Sequence, residues 1–247
     1  MSRPATSNVR WAIVFMAFLG TTINYVDRAN LGVALPLLSK ELGLGPEASG
    51  LVLGAFFWTY ALFQLPSGWF VDRVGPRVAY AVAVVWWSVF TAATALARGF
   101  GALFGARLLL GVGEAPAYPT NAKAVAEWFP RSERALATSI YDSGARAGTV
   151  LALPLCTWII AMFGWRASFV ITGALGLVWA AVWVWLYRHP KDHPRVSDDE
   201  RALIAAGQAT PASASSPSDI RWTDLFRYRT IWGMMLGFFC LNFVIYF

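Results

Sequence analysis

Charge is scarce in this chain. Asp, Glu, Lys and Arg make up 14% of 247 residues, against 57% hydrophobic and 15% aromatic. A soluble domain carries about 25% charge, so that class is excluded and the composition reads as a polytopic membrane protein. Cysteine and histidine are nearly absent as well. Cys156 and Cys240 lie in apolar stretches, where a thiol acts as a small hydrophobe, and His189 and His193 share a polar segment. No disulfide framework, zinc set, Cys/His pair or Ser/His/Asp arrangement can be assembled at membrane depth from this inventory. An intramembrane protease or metalloenzyme is therefore set aside, and no cofactor is expected. Proton chemistry inside the membrane has only carboxylates to use.

What the chain has in quantity is hydrophobic length. A spanning helix needs about 20 mostly apolar residues, and six complete runs meet that requirement: 11–38, 49–71, 77–97, 100–129, 132–163 and 165–187. A seventh begins near Thr230 and stops at Phe247, so the expectation is an incomplete copy of a longer protein. The expected division is a six-span unit at 1–187, a loop at 188–229 and a truncated seventh span at 230–247. The first run is too long for a signal peptide and contains Asp27 and Arg28.

Orientation follows from the basic residues near the span ends. Of the twenty Lys and Arg, three lie within spans, three (Lys40, Arg98, Arg166) fall on the far side, and the other fourteen fall on the side of the N-terminus. That asymmetry predicts a cytoplasmic N-terminus. The net charge of +6 is thus a topology signal, with the lipid bilayer rather than nucleic acid as the partner. The absence of any Asn-x-Ser/Thr sequon and the Ala/Gly/Trp-rich composition agree with a bacterial inner membrane.

Within the 188–229 loop, Ser197-Asp198-Asp199-Glu200 reads as a capping box opening a short helix through Ala206. The stretch 209–218 has linker composition. Trp222, Leu225 and Phe226, beside Arg221, Arg227 and Arg229, form either an interfacial face or a plain tether.

Six ionisable residues interrupt the apolar spans: Asp27, Glu114 and Asp142, with Arg28, Arg107 and Arg146. A charge at bilayer depth costs about 2.5–3.5 kcal/mol on insertion scales and is usually kept for a pathway, a relay or a bound ion. Arg107 and Glu114 are two helical turns apart and share a face, about 10 Å apart along the axis. Asp142 and Arg146 stand at i and i+4, where they can satisfy each other locally or serve a substrate. Gly144 and Gly148 are a small-xxx-small pair suited to close helix packing.

The segment Gly68-Trp69-Phe70-Val71-Asp72-Arg73-Val74-Gly75-Pro76-Arg77 resembles the G-x-x-x-D-R-x-G-R-R signature of the major facilitator superfamily, with Pro76 in place of one arginine. Gly68 and Gly75 would permit a tight turn between packed helices. Asp72, Arg73 and Arg77 would form a charge cluster, either a latch between halves or a simple positive anchor. A narrower resemblance rests on Asn24-Tyr25-Val26-Asp27-Arg28-Ala29-Asn30-Leu31 and on Gly111-Val112-Gly113-Glu114-Ala115-Pro116-Ala117-Tyr118-Pro119-Thr120-Asn121. Glu127-Trp128-Phe129-Pro130 and Glu133-Arg134-Ala135 extend it. Together they look like the anion:cation symporter family, in its galactonate, glucarate and hexuronate branch.

That resemblance implies an all-α membrane protein, the six-helix N-terminal half of a major facilitator fold, with a six-helix C-terminal half as its partner. It also implies proton-coupled uptake of an organic anion, with the proton as coupling ion. The positions of Asp27 and Glu114 correspond to proton-binding carboxylates, Arg28 to the contact with the substrate carboxylate, and Arg107 to the partner of the glutamate. Tyr25 and Tyr60 match aromatic positions near the sugar-acid site, although lone tyrosines also serve as interfacial or core residues. A carboxylate deprived of its arginine by an incoming anion takes up a proton more readily, which is the physical basis of symport. Ala145 replaces a glutamine found in galactonate-type relatives, and with Arg146 nearby a dianion would suit the site better than a neutral-tailed aldonate.

Other classes are weaker. A transport-dead sensor would bind anion without accumulating it. A channel needs no titratable pair. An exporter of cationic drugs is opposed by three arginines in the cavity. One half cannot alternate access around a site between two halves, so the 247 residues alone are expected to be inactive in transport.

Overall fold

Apolar runs in a bilayer must satisfy their own backbone hydrogen bonds, which restricts them to helices or closed barrels. The computed structural model, which describes residues 7–208, 224 and 226–246, resolves this choice in favour of helices, with no strand among the described residues. The helices are α1 (Val9–Leu42), α2 (Pro46–Thr94), α3 (Phe100–Glu114), α4 (Ala117–Trp128), α5 (Arg134–Leu186), α6 (Asp198–Gln208) and α7 (Arg229–Tyr246). A short 3-10 turn at Pro190–Asp192 precedes α6. The chain divides into two compact units, Met1–Gln208 and Ala209–Phe247.

Helices α2 and α5 are each two spans joined by one glycine. Gly75 has φ 79 and ψ 161, and Gly164 has φ 82 and ψ 164, a region of backbone space essentially closed to other residues. The neighbours prove the reversal. In 46–74 the chain runs with α3 and α4, Trp58 meeting Phe104 at 5.9 Å and Asp72 meeting Lys123 at 3.0 Å. In 76–94 it runs against them, with Trp86 Nε1 donating to the Leu109 carbonyl at 2.8 Å and Ala95 and Ala97 packing in one cluster with Leu103. Residues 134–163 likewise follow α1 in parallel, and 165–186 return antiparallel to it, from Trp165 at Glu41 to Trp179 at the Met16 carbonyl.

The expected six spans are thus present, with one difference. The fourth is broken between α3 and α4 at Ala115 and Pro116, because a proline inside a helix removes a donor and its ring crowds the preceding turn. Gly68 also departs from expectation, lying in regular helix with open space in front of it while Gly75 alone makes the turn. Gly144 and Gly148 do pack as their spacing suggested. A Cβ at either would stand 2.5 Å from the carbonyl of Phe18 or Thr22 on α1.

Residues 188–208 fold back onto the six-span unit. Ser197 Oγ accepts from the Glu200 amide at 3.3 Å, half of the expected capping box, and α6 runs two residues past Ala206. The Glu200 side chain does not complete the box. It is fully buried and accepts from Ser7 Oγ, the Val9 and Arg10 amides and Arg10 Nη1, closing the open first turn of α1. Arg10 continues to Glu133 at 3.0 Å, and Gln208 donates to the Ala126 and Glu127 carbonyls at the end of α4. The linker stretch 209–218, with Trp222 and Leu225, lies outside the described residues. In the second unit Phe226 packs on Trp232 with ring centroids 5.8 Å apart.

Candidate functional site

Arg28 projects from the middle of α1, and Glu114 ends α3 at the proline break. Arg28 Nη2 lies 2.8 Å from Glu114 Oε2 and its Nε lies 3.3 Å from the same oxygen. The guanidinium also donates to Asn24 Oδ1 at 3.3 Å and is faced by the rings of Tyr25, Phe56 and Tyr60 at 4.8, 4.6 and 4.8 Å. Glu114 is fully buried and the Arg28 side chain is 11% exposed. The pair is thus enclosed by protein, with Arg28 reachable at one edge.

Arg107 lies over the same Phe56 ring at 5.1 Å and makes no ion pair within 4.0 Å among the described residues. The spacing that put Arg107 and Glu114 on one face did not decide the pairing. Glu114 closes on Arg28, from another helix, and Arg107 remains an electrostatic neighbour. Asp27, one residue before Arg28, looks elsewhere. Its carboxylate is buried near Trp87 and Thr172, and neither oxygen has a hydrogen-bond partner among the described residues. Beside it Ser168 Oγ donates to Asn30 Oδ1 at 2.6 Å, and Asn30 Nδ2 donates to Thr172 Oγ1 at 3.3 Å.

A second group lies at the open edge. The Tyr118 hydroxyl is 3.4 Å from both the Tyr25 hydroxyl and Asp142 Oδ1, and its one proton can go to either. Asp142 Oδ2 is 3.6 Å from Arg146 Nη1, with both side chains exposed. Arg28, Tyr25 and Tyr60 are therefore brought together, with Arg146 joined to them through Asp142 and Tyr118.

The loop residues do not form a cluster among themselves. Asp72 pairs with Lys123 at 3.0 Å, Arg73 lies over Trp69 at 5.2 Å, and Arg77 donates to the Val184 carbonyl at 2.7 Å. Arg77 thereby ties the third span to the end of the sixth.

Residues 17–247 match the model of the Major Facilitator Superfamily. The chain belongs to that family. It is 37% identical over 254 residues to the probable galactarate/D-glucarate transporter GudP of Bacillus subtilis (strain 168), covering 98% of this chain and 56% of that one. It is 37% identical over 245 residues to the D-galactonate transporter of Escherichia coli O6:H1, covering 96% and 57%. The hexuronate transporter of Escherichia coli K12 is 35% identical over 228 residues, covering 92% and 53%. The chain spans about half the length of these curated relatives. A bacterial homologue of the human lysosomal transporter Spinster, in an inward-facing and occupied conformation, superposes with a TM-score of 0.69 at 27% identity, over 79% of this chain and 47% of that one. The sugar-acid branch of the Major Facilitator Superfamily read from the motifs is the one these relatives occupy, and the chain is not an enzyme.

Sequence reasoning passed over Phe56, Asn24 and Tyr118 as site residues, and gave Glu200 only a capping role. Tyr118 and Asn24 belong to the two motif segments 111–121 and 24–31, and polarity within an apolar run is a signal available for both. Phe56 gave none, since an aromatic in a lipid-length helix looks like any other.

Proposed function

We propose that this chain is the N-terminal half of a secondary transporter that takes up an organic anion, a sugar acid or related carboxylate, together with protons by alternating access. The observation that carries the reading is the Arg28–Glu114 pair at 2.8 Å inside an aromatic cage. Removing one partner of a buried pair is costly, so an incoming carboxylate can claim Arg28 only if Glu114 is neutralised at the same time. A proton does that. Anion binding and protonation then favour each other, with Arg107 across Phe56 as the cation left beside Glu114 and Asp27 as a second proton site. Tyr25, Tyr60 and Arg146 line the approach. The relatives' printed names, which include galactarate/D-glucarate, D-galactonate and hexuronate transporters, support the substrate class.

The site faces a second six-helix half, and Asp72, Arg73 and Arg77 stand at the end where the halves would latch. That end carries Arg10, Lys123, Arg131 and Arg134 as well, against Lys40, Arg98 and Arg166 at the other, which supports a cytoplasmic N-terminus in a bacterial inner membrane. The test is uptake of labelled sugar acid into proteoliposomes, with and without an inward proton gradient, by the whole polypeptide, by its Glu114→Gln variant and by residues 1–247 alone. Gradient-driven accumulation that Glu114→Gln abolishes, with none by 1–247, supports the reading. Accumulation that ignores the gradient overturns coupling, and binding without accumulation by the whole polypeptide makes it a sensor.

A further inference from the structure

Two cations with opposite characters share the open edge of the site. Arg28 is fixed: a buried glutamate and three rings leave its side chain 11% exposed. Arg146 is loose, its side chain 79% exposed and its ion-pair partner among the described residues, Asp142, 46% exposed at 3.6 Å. Exposed pairs at such distances are weak and easily exchanged. A chain of polar contacts joins the two, from the Tyr25 ring under Arg28, through the hydroxyls of Tyr25 and Tyr118 at 3.4 Å, to Asp142 at 3.4 Å.

The packing of α5 on α1 sets the spacing. Gly144 rests on Phe18 and Gly148 on Thr22 and Tyr25, which puts position 146 level with Thr22 on the parallel α1. Arg28 is six residues further along, roughly 9 Å at 1.5 Å per residue. That offset lies between backbone positions, and two long arginine side chains reaching from it can approach opposite ends of one extended six-carbon dicarboxylate, which a single carboxylate does not span.

Resting on the anion-uptake reading above, we propose that Arg146 is a specificity-determining residue that takes the second carboxylate of a dicarboxylate substrate, displacing Asp142, which holds the position in its absence. Tyr118, with one proton and two acceptors, follows the exchange: it is free to serve Tyr25 while the ion pair is intact and turns to Asp142 when the substrate occupies Arg146, because the released carboxylate is the stronger acceptor. Arg28 answers to any carboxylate. Arg146 separates substrates with two from substrates with one.

D-glucarate and D-gluconate test this, since they share a six-carbon skeleton and differ in one carboxylate. Their affinities are measured by isothermal titration on the purified whole polypeptide in nanodiscs, as wild type, Arg146→Gln, Asp142→Asn and Arg28→Gln. Wild type is expected to favour glucarate by about tenfold or more, the worth of a charge-assisted bidentate contact. Arg146→Gln is expected to bring the two acids within about threefold by weakening glucarate alone. Asp142→Asn, which removes the competing carboxylate, is expected to tighten glucarate by a few-fold and leave gluconate unchanged. Equal binding of both acids by wild type, or equal weakening of both by Arg146→Gln, overturns the proposal while leaving the anion site intact. Loss of Arg28→Gln sensitivity, with either acid, overturns the underlying reading instead. Exposed residues on a helix face tolerate these changes, and Asp142→Asn acts in the opposite direction from unfolding.

Discussion

Arg28 and Glu114 are 86 residues apart in the chain and 2.8 Å apart in space, the glutamate fully buried. Glu114→Ala leaves a buried guanidinium with no counter-charge, and the expected loss is about 3–5 kcal/mol of stability. Glu114→Gln keeps the shape and an acceptor oxygen for Arg28, so it should lose distinctly less. Thermal unfolding in detergent, followed by the chain's own tryptophans, ranks the two. Equal melting temperatures would show that the charge of Glu114 does not hold the site together.

The two reversals make a paired prediction. Gly75→Ala and Gly164→Ala force a side chain into a backbone region kept for glycine, at about 1–3 kcal/mol each. Gly68→Ala, in regular helix with open space in front of it, should be neutral or stabilising by up to ~1 kcal/mol. The same melting measurement tests all three, and the contrast between Gly68 and Gly75 within one motif is the informative part.

Glu200→Ala removes the acceptor for two α1 amides and for Arg10 at once. The expected cost is about 1–3 kcal/mol, because the Arg10 charge and the amides stay partly buried. Hydrogen exchange at Val9 and Arg10 should accelerate while exchange in the α1 centre is unchanged. Protection that survives the substitution would mean that α6 does not cap α1.

His193 gives a pH prediction outside the membrane spans. Its imidazole is buried against Trp128, at 5.5 Å between rings, and burial, more than nearby Arg188 and Arg195, pushes its pKa below the ordinary value of 6.5. The unfolded chain then binds more protons than the folded one near that value, so stability rises with pH there and falls as the solution is acidified below about 6.5. Melting temperatures across that window should drop in the parent and drop less in His193→Gln.

Much of the architecture was legible because lipid leaves the backbone few options. Hydrophobic length marked all six spans, and the glycine at 164 separated the last two. The break at Pro116 was hidden because the apolar run continues across it. Pairing at the site was less legible. Two helical turns placed Arg107 and Glu114 on one face, but which arginine reaches a carboxylate depends on how α1 meets the fourth span near its break, a long-range fact. Glu200 failed for the same reason: its local pattern spelled a capping box, and a neighbouring helix end offered its carboxylate a larger set of donors.

The seam between Glu200 and the start of α1 brings the entrance and the exit of the six-span bundle to one point. Such a bundle is effectively circular, since its first and sixth helices cannot drift apart without opening that seam. A strain at residue 208 meets the end of α4 through Gln208 and reaches the helix that carries Arg28 through Glu200.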